Sequence, residues 1–150
     1  MSHSTASSAS AMSLFSHEAP DTLFSLRMPM VQAFGLQGVR IGDDQATVLM
    51  PANARYTNSR GDVHGGAYAV LMDSVLSCAA RAHDPTRYGV ITVDMALHYV
   101  AGTRGDVVAT ARCERRGKSL CFVRGEAHDA DGNLLTLATG TFKLVERVPS

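Results

Sequence analysis

One apolar segment carries a lone carboxylate. Residues 63–80 (VHGGAYAVLMDSVLSCAA) contain a single formal charge, that of Asp73. A carboxylate in apolar surroundings is costly unless it is paired, hydrogen-bonded or protonated. Burial would raise the pKa of Asp73 and suit it to act as a base or a nucleophile. The alternative is a structural aspartate that bonds a loop or a partner chain.

The same segment begins with His64-Gly65-Gly66. The start of a helix exposes unpaired N–H groups and the positive end of the dipole, which suit a developing oxyanion. Two glycines let a substrate approach the backbone closely. The alternative is plain loop-to-helix geometry, with His64 as a packing histidine.

The spacing of these two features predicts a shared site. Asp73 follows His64 by nine residues, which is about 10–13 Å along a helix that rises 1.5 Å per residue. One subunit could not easily bring both groups to the same carbonyl. A two-fold dimer could pair the helix start of one chain with Asp73 of the other.

Positive charge is concentrated at and around the turn that joins two predicted strands. Five of the fourteen cations fall within thirteen residues, namely Arg112, Arg115, Arg116, Lys118 and Arg124. Arginine forks suit phosphate oxygens, and Gly117 leaves the backbone accessible. The turn Arg115–Ser119, comprising Arg115, Arg116, Gly117, Lys118 and Ser119, is therefore a candidate phosphate-binding corner. The alternative is a solvated hairpin tip.

Length and composition exclude several classes of protein. The chain has 150 residues and equal numbers of cations and anions, which favours one domain and gives no net charge to recruit nucleic acid or a membrane. Three cysteines form neither a CxxC pair nor a zinc pattern, and no metal is expected. They indicate buried thiols in a reducing compartment, the cytoplasm. Residues 1–19 are rich in Ser and Ala and lack the pattern of a secretory signal. They are expected to form a disordered leader before one domain at 20–150.

The elements that must position these residues follow from periodicity. Leu36–Ile41 and Ala46–Met50 alternate around Gly42-Asp43-Asp44, which predicts a hairpin. Residues 63–80 are apolar on every face, which predicts a central helix wrapped by protein. Four further strands are expected, at Val90–Val100, Val107–Glu114, Ser119–His128 and Leu134–Val145. The order predicts an α+β fold, an antiparallel sheet around one long helix.

Asn58-x-x-Gly61-x-x-His64-Gly65-Gly66, followed by Leu71-x-Asp73, resembles the signature of hotdog-fold thioesterases of the PaaI-like (phenylacetate-pathway) type. The resemblance runs from about residue 30 to 145. It implies the hotdog fold, a long central helix wrapped by a curved antiparallel β-sheet. It also implies homodimers that often pair into homotetramers, and hydrolysis of acyl-CoA thioesters.

The resemblance assigns roles at the reacting carbonyl. Asp73 matches the catalytic carboxylate of the family, as base for water or as nucleophile. Gly66, helped by Gly65, matches the oxyanion-binding amide. Thr92 stands near the position where relatives carry a Ser or Thr that supports the attacking water.

The resemblance also assigns roles in orientation and binding. Asn58 and His64 match residues that orient the thioester or the water. Lys118 stands where an arginine is commoner in the corner that binds the phosphates. No metal or other cofactor is implied, because coenzyme A is part of the substrate.

The predicted function is hydrolysis of an aryl- or medium-chain acyl-CoA to the free acid and CoA. The alternative is a non-catalytic acyl-CoA binder or sensor on the same fold, which would not need Asp73 together with Asn58. Four residues could line an acyl pocket or equally belong to the core, Tyr68, Met72, Leu76 and Met95.

Overall fold

The computed structural model describes residues 18–148, so the predicted leader lies outside the described residues except for Glu18 and Ala19. The elements in chain order are β1 Thr22–Leu23, β2 Leu26–Arg27, α1 Pro29–Ala33, β3 Gln37–Gly42, β4 Gln45–Met50, a 3-10 turn at Ala54–Tyr56, α2 Gly65–Ala80, β5 Tyr88–Tyr99, β6 Val107–Arg116, β7 Leu120–His128 and β8 Leu134–Glu146. The α+β prediction is confirmed.

The predicted hairpin is the pair β3 and β4. Its two central residues, Asp43 and Asp44, have φ of +51° and +60°. Positive φ at both central positions defines a type I′ turn, whose twist matches that of the flanking strands. The polar pair between two alternating runs was therefore a reliable signal.

The six long strands form one antiparallel sheet in the order β3-β4-β6-β7-β8-β5. Alternate side chains of β6 and β7 are buried beneath α2. The helix lies close to the sheet at Gly125, where a Cβ would stand 2.9 Å from Leu76 Cδ1 and 2.6 Å from the Thr110 carbonyl oxygen. A curved sheet thus holds the long helix on its inner face.

One face of α2 is left open by its own chain. Residues three or four positions apart along it are only half-buried or exposed: Gly66, Ala69, Val70, Asp73, Ser74 and Ser77. The prediction of a central helix wrapped by a curved sheet is confirmed, and one face of this helix is not covered by its own chain. The sheet curves around one side, and the open face consists of small residues and the one carboxylate.

The three cysteines are buried free thiols, as predicted. Burial raises the pKa of the Cys113 thiol to about 11 and raises the pKa of Cys78 as well. Because the thiolate is the nucleophile, neither of these thiols is activated for attack. Within residues 18–148, no helix is long and apolar enough to cross a membrane.

Candidate active site

His64 caps the start of α2. It is the N-cap residue, with φ −65° and ψ 141°, and its Nδ1 accepts the Gly66 N–H at 2.8 Å. Its own carbonyl accepts the N–H groups of Ala67 and Tyr68. An Nδ1 that accepts leaves the proton of the neutral ring on Nε2.

The open amide at the helix start belongs to Gly65. The next three N–H groups of the first turn are taken by His64, through its ring or its carbonyl. Among the described residues, none accepts a hydrogen bond from the Gly65 N–H. The Gly65 N–H is therefore able to bind an incoming anion, whereas the Gly66 N–H is already bonded to His64. The family resemblance instead gives the main oxyanion role to Gly66.

The Asp73 carboxylate accepts a hydrogen bond from Thr92 on the sheet. The Thr92 hydroxyl donates to Asp73 Oδ1 at 2.7 Å. Thr92 pairs with Phe142 and Asp94 with Thr141, so Val93 is an extra residue in β5. A bulge of this kind re-aims the side chains around it. Thr92 thereby points at the middle of α2, and Asp73 is half-buried rather than enclosed.

Asn58 organises the loop that leads into α2. Its Oδ1 accepts the N–H groups of Arg60 and Asp62, at 2.9 and 3.1 Å, and its backbone bonds Gly61 and Asp62. Its Nδ2 has no partner within residues 18–148. Its carbonyl oxygen is thus used by the loop, and only the amide nitrogen is available for a substrate.

The basic turn divides into two kinds of residue. Arg116 is largely enclosed, and its guanidinium donates to the carbonyl of Ala80 at the end of α2, to Asp44 Oδ1 at 2.5 Å and to Cys121 Sγ at 3.2 Å. It ties the helix end to the β3–β4 turn. This arginine is committed to the fold and is not placed to bind phosphate.

The rest of the corner is exposed. Arg115, Lys118 and Ser119 face solvent, and Gly117 closes the turn with an N–H bond to the Leu120 carbonyl at 2.8 Å. In the described part of the chain, neither Arg115 nor Lys118 has an ion pair. Their charges remain available to an anionic ligand.

The suggested acyl-pocket residues are mostly core. Tyr68 is 3% exposed, and Met72 and Leu76 are fully buried. Met95 packs against the core from β5 and is half-buried. No described group of three or more His, Cys, Asp or Glu side chains could hold a metal ion.

The comparison with protein families agrees with this fold. Residues 60–136, just over half of the chain, match the thioesterase superfamily. The chain belongs to this superfamily and is a thioester hydrolase of the hotdog fold.

Individual relatives match this chain at low sequence identity. Acyl-coenzyme A thioesterase 13 of Homo sapiens is 32% identical over 89 residues, which cover 57% of this chain and 63% of that protein. The chain thus spans less than two thirds of the length of this relative. A conserved protein of Pseudomonas aeruginosa has a TM-score of 0.74 at 28% identity, over 77% of this chain and 93% of the other. A thioesterase of Haemophilus influenzae shares the fold, with a TM-score of 0.73 at 19% identity over 80% and 85% of the two chains.

Proposed function

We propose that this protein is a PaaI-like thioesterase that hydrolyses acyl-CoA thioesters with an aryl- or medium-chain acyl group. One observation carries the proposal: the helix whose first amide, that of Gly65, is open also presents Asp73, held by Thr92. An anion-binding amide and an oriented carboxylate are the two groups that acyl transfer to water requires.

In the reaction, Asp73 acts as a base or as a nucleophile. As a base it takes a proton from water, and the oxygen of that water attacks the thioester carbonyl. As a nucleophile its carboxylate attacks first, and water then hydrolyses the mixed anhydride. In both cases Gly65 N–H stabilises the oxyanion, the carbon–sulfur bond breaks and CoA leaves as a thiolate that takes up a proton.

Thr92, Asn58 and His64 orient these groups. The Thr92 hydroxyl occupies Asp73 Oδ1, and the other carboxylate oxygen is then directed at water. The Asn58 amide nitrogen and the His64 Nε2 proton are donors for the thioester or the water. Neither is used by the fold among residues 18–148.

The site is composite and the minimal unit is a homodimer. Gly65 and Asp73 stand eight residues apart, about 12 Å along one helix, too far to reach one carbonyl. Strand β5 is at the edge of the sheet, and exposed apolar side chains lie on and beside it: Ile91, Val93, Tyr99 and Val100. A long edge with apolar side chains favours pairing with a second chain. Two such dimers form the homotetramer.

The acyl group is identified with a panel of acyl-CoAs and a thiol reagent that detects released CoA. We expect turnover of aryl-acetyl, hydroxybenzoyl or medium aliphatic thioesters. Tight binding of these compounds without thiol release would favour the non-catalytic binder instead. The buried free thiols support a cytoplasmic location, where CoA thioesters are held in a reducing medium.

The exposed cations of the corner bind the phosphates of CoA. The double variant Arg115→Gln/Lys118→Gln is expected to raise KM for acyl-CoA about three- to tenfold and to leave kcat unchanged. Contacts far from the carbonyl are equally strong in the ground and transition states. The effect should shrink at high salt. A thioester of a short phosphate-free thiol is the control substrate, and equal loss on both substrates would contradict phosphate binding.

Arg116→Gln provides the contrast. Because this guanidinium bonds Ala80, Asp44 and Cys121, its loss is expected to lower the free energy of unfolding by about 1–3 kcal/mol. Denaturant unfolding measures this, and KM should stay unchanged. A large increase in KM without loss of stability would return Arg116 to the phosphate site.

A further inference from the structure

We propose that Tyr99 is a positioning residue for the oxyanion site, acting together with His64 on the peptide that joins Gly65 to Gly66. The inference rests on the proposed function. Tyr99 has no assigned role in the signature that predicts the site, and it acts without touching the reacting atoms.

Both polar ends of this one peptide are held by side chains. The Tyr99 hydroxyl donates to the Gly65 carbonyl at 2.9 Å. On the other edge of the same peptide, the Gly66 N–H donates to His64 Nδ1 at 2.8 Å. Because a peptide unit is planar and stiff, bonds at both edges fix its orientation.

The preceding peptide carries the open amide. Its carbonyl, that of His64, accepts the N–H groups of Ala67 and Tyr68, while its own N–H is that of Gly65. Only the two torsions of Gly65 separate this peptide from the one that Tyr99 holds, and a glycine without Cβ restrains them weakly. The hydrogen bond from the Tyr99 phenol restrains these two torsions, which glycine by itself leaves loose.

Packing against other residues positions the Tyr99 ring so that its hydroxyl reaches the Gly65 carbonyl. It packs edge-on against the buried ring of Tyr68, with centroids 6.1 Å apart and planes at 70°. A Cβ built on Gly65 would lie 3.6 Å from the same ring. Tyr99 ends β5, the strand that also carries Thr92. One strand therefore delivers both hydroxyls, one to the carboxylate and one to the helix start.

The test is Tyr99→Phe, which removes one oxygen and keeps the ring contacts. We expect kcat to fall about five- to tenfold, because the Gly65 amide is then held less firmly toward the oxyanion of the transition state. KM should stay within about twofold. Tyr88→Phe is the matched control, because the Tyr88 ring lies against His83 and Arg87, away from the site.

A second readout separates positioning from stability. In a ketone analogue of the acyl-CoA, with CH2 in place of sulfur, the carbonyl stretch reports the strength of the oxyanion bonds. It should move to higher frequency in Tyr99→Phe and stay in place in Tyr88→Phe. An unchanged kcat, or a lower kcat with an unchanged carbonyl stretch, would overturn the inference.

A third readout does not depend on hydrolysis. A hydrogen bond at the Gly65 carbonyl polarises the peptide, so the ¹⁵N resonance of Gly66 should shift in Tyr99→Phe. If the unaltered protein hydrolysed no thioester but this resonance shifted, the proposed function would fail and the restraint on the peptide would stand. If hydrolysis were normal and the resonance did not move, the role of Tyr99 would be refuted and the function retained.

Discussion

Asp73→Asn is expected to lower kcat about a hundred- to ten-thousandfold, the range for loss of a general base. The amide keeps the shape of the side chain and an oxygen for the Thr92 hydroxyl. It can neither take a proton from water nor attack the thioester. Thiol release from the best acyl-CoA of the panel measures the effect.

The fold and the assembly of this variant should be intact. Thermal unfolding and sedimentation are expected to match those of the unaltered protein, because asparagine keeps the size of the side chain and Asp73 lies outside the core. Asp131→Asn, at an exposed hairpin tip, is the control for loss of one negative charge. Retention of most of kcat by Asp73→Asn would remove Asp73 from the chemistry.

Gly65→Pro should lower kcat about a hundred- to a thousandfold, the range for loss of one oxyanion donor. Proline removes the N–H and adds a ring, and it suits the first position of a helix. His64 has ψ 141°, which the residue before a proline prefers. The variant therefore removes the proposed donor and is compatible with the helix.

Gly65→Ala is the matched control, because it keeps the N–H and its Cβ would meet the Tyr99 ring at an ordinary 3.6 Å. Its kcat should stay close to that of the unaltered protein. The Gly66 amide is bonded to His64, so it should not substitute for Gly65. Full activity of Gly65→Pro, with loss of activity in Gly66→Pro, would assign the oxyanion to Gly66 instead.

The fold was predictable because its signals are local. The Gly42–Asp44 turn, the apolar run at 63–80 and the alternating strands each depend on neighbours in sequence. The open face of α2 was not predictable in this way. Periodicity shows that every face is apolar, but only the curvature of the sheet decides which face its own chain covers.

The candidate-site residues that fall within one sequence motif were predictable. Those that come together from distant parts of the chain were not. Asp73, His64 and the glycines stand in one segment. Tyr99 is 34 residues from Gly65, and Arg116 is 72 residues from Asp44. A charged turn could not reveal that one of its arginines folds back onto the helix end. The bulge at Val93 is equally invisible in a run of β-forming residues.

The central claim is that each site takes its helix start from one chain and Asp73 from another. Mixed assemblies of Asp73→Asn chains and Gly65→Pro chains, each inactive alone, test it directly. Random pairing makes half of the dimers mixed, and each mixed dimer regains one intact site of two. Activity of about a quarter of the unaltered protein is therefore predicted for equal amounts of the two chains. If co-expressed chains form mixed dimers by mass but recover no activity, both groups act from the same chain and the composite site is wrong.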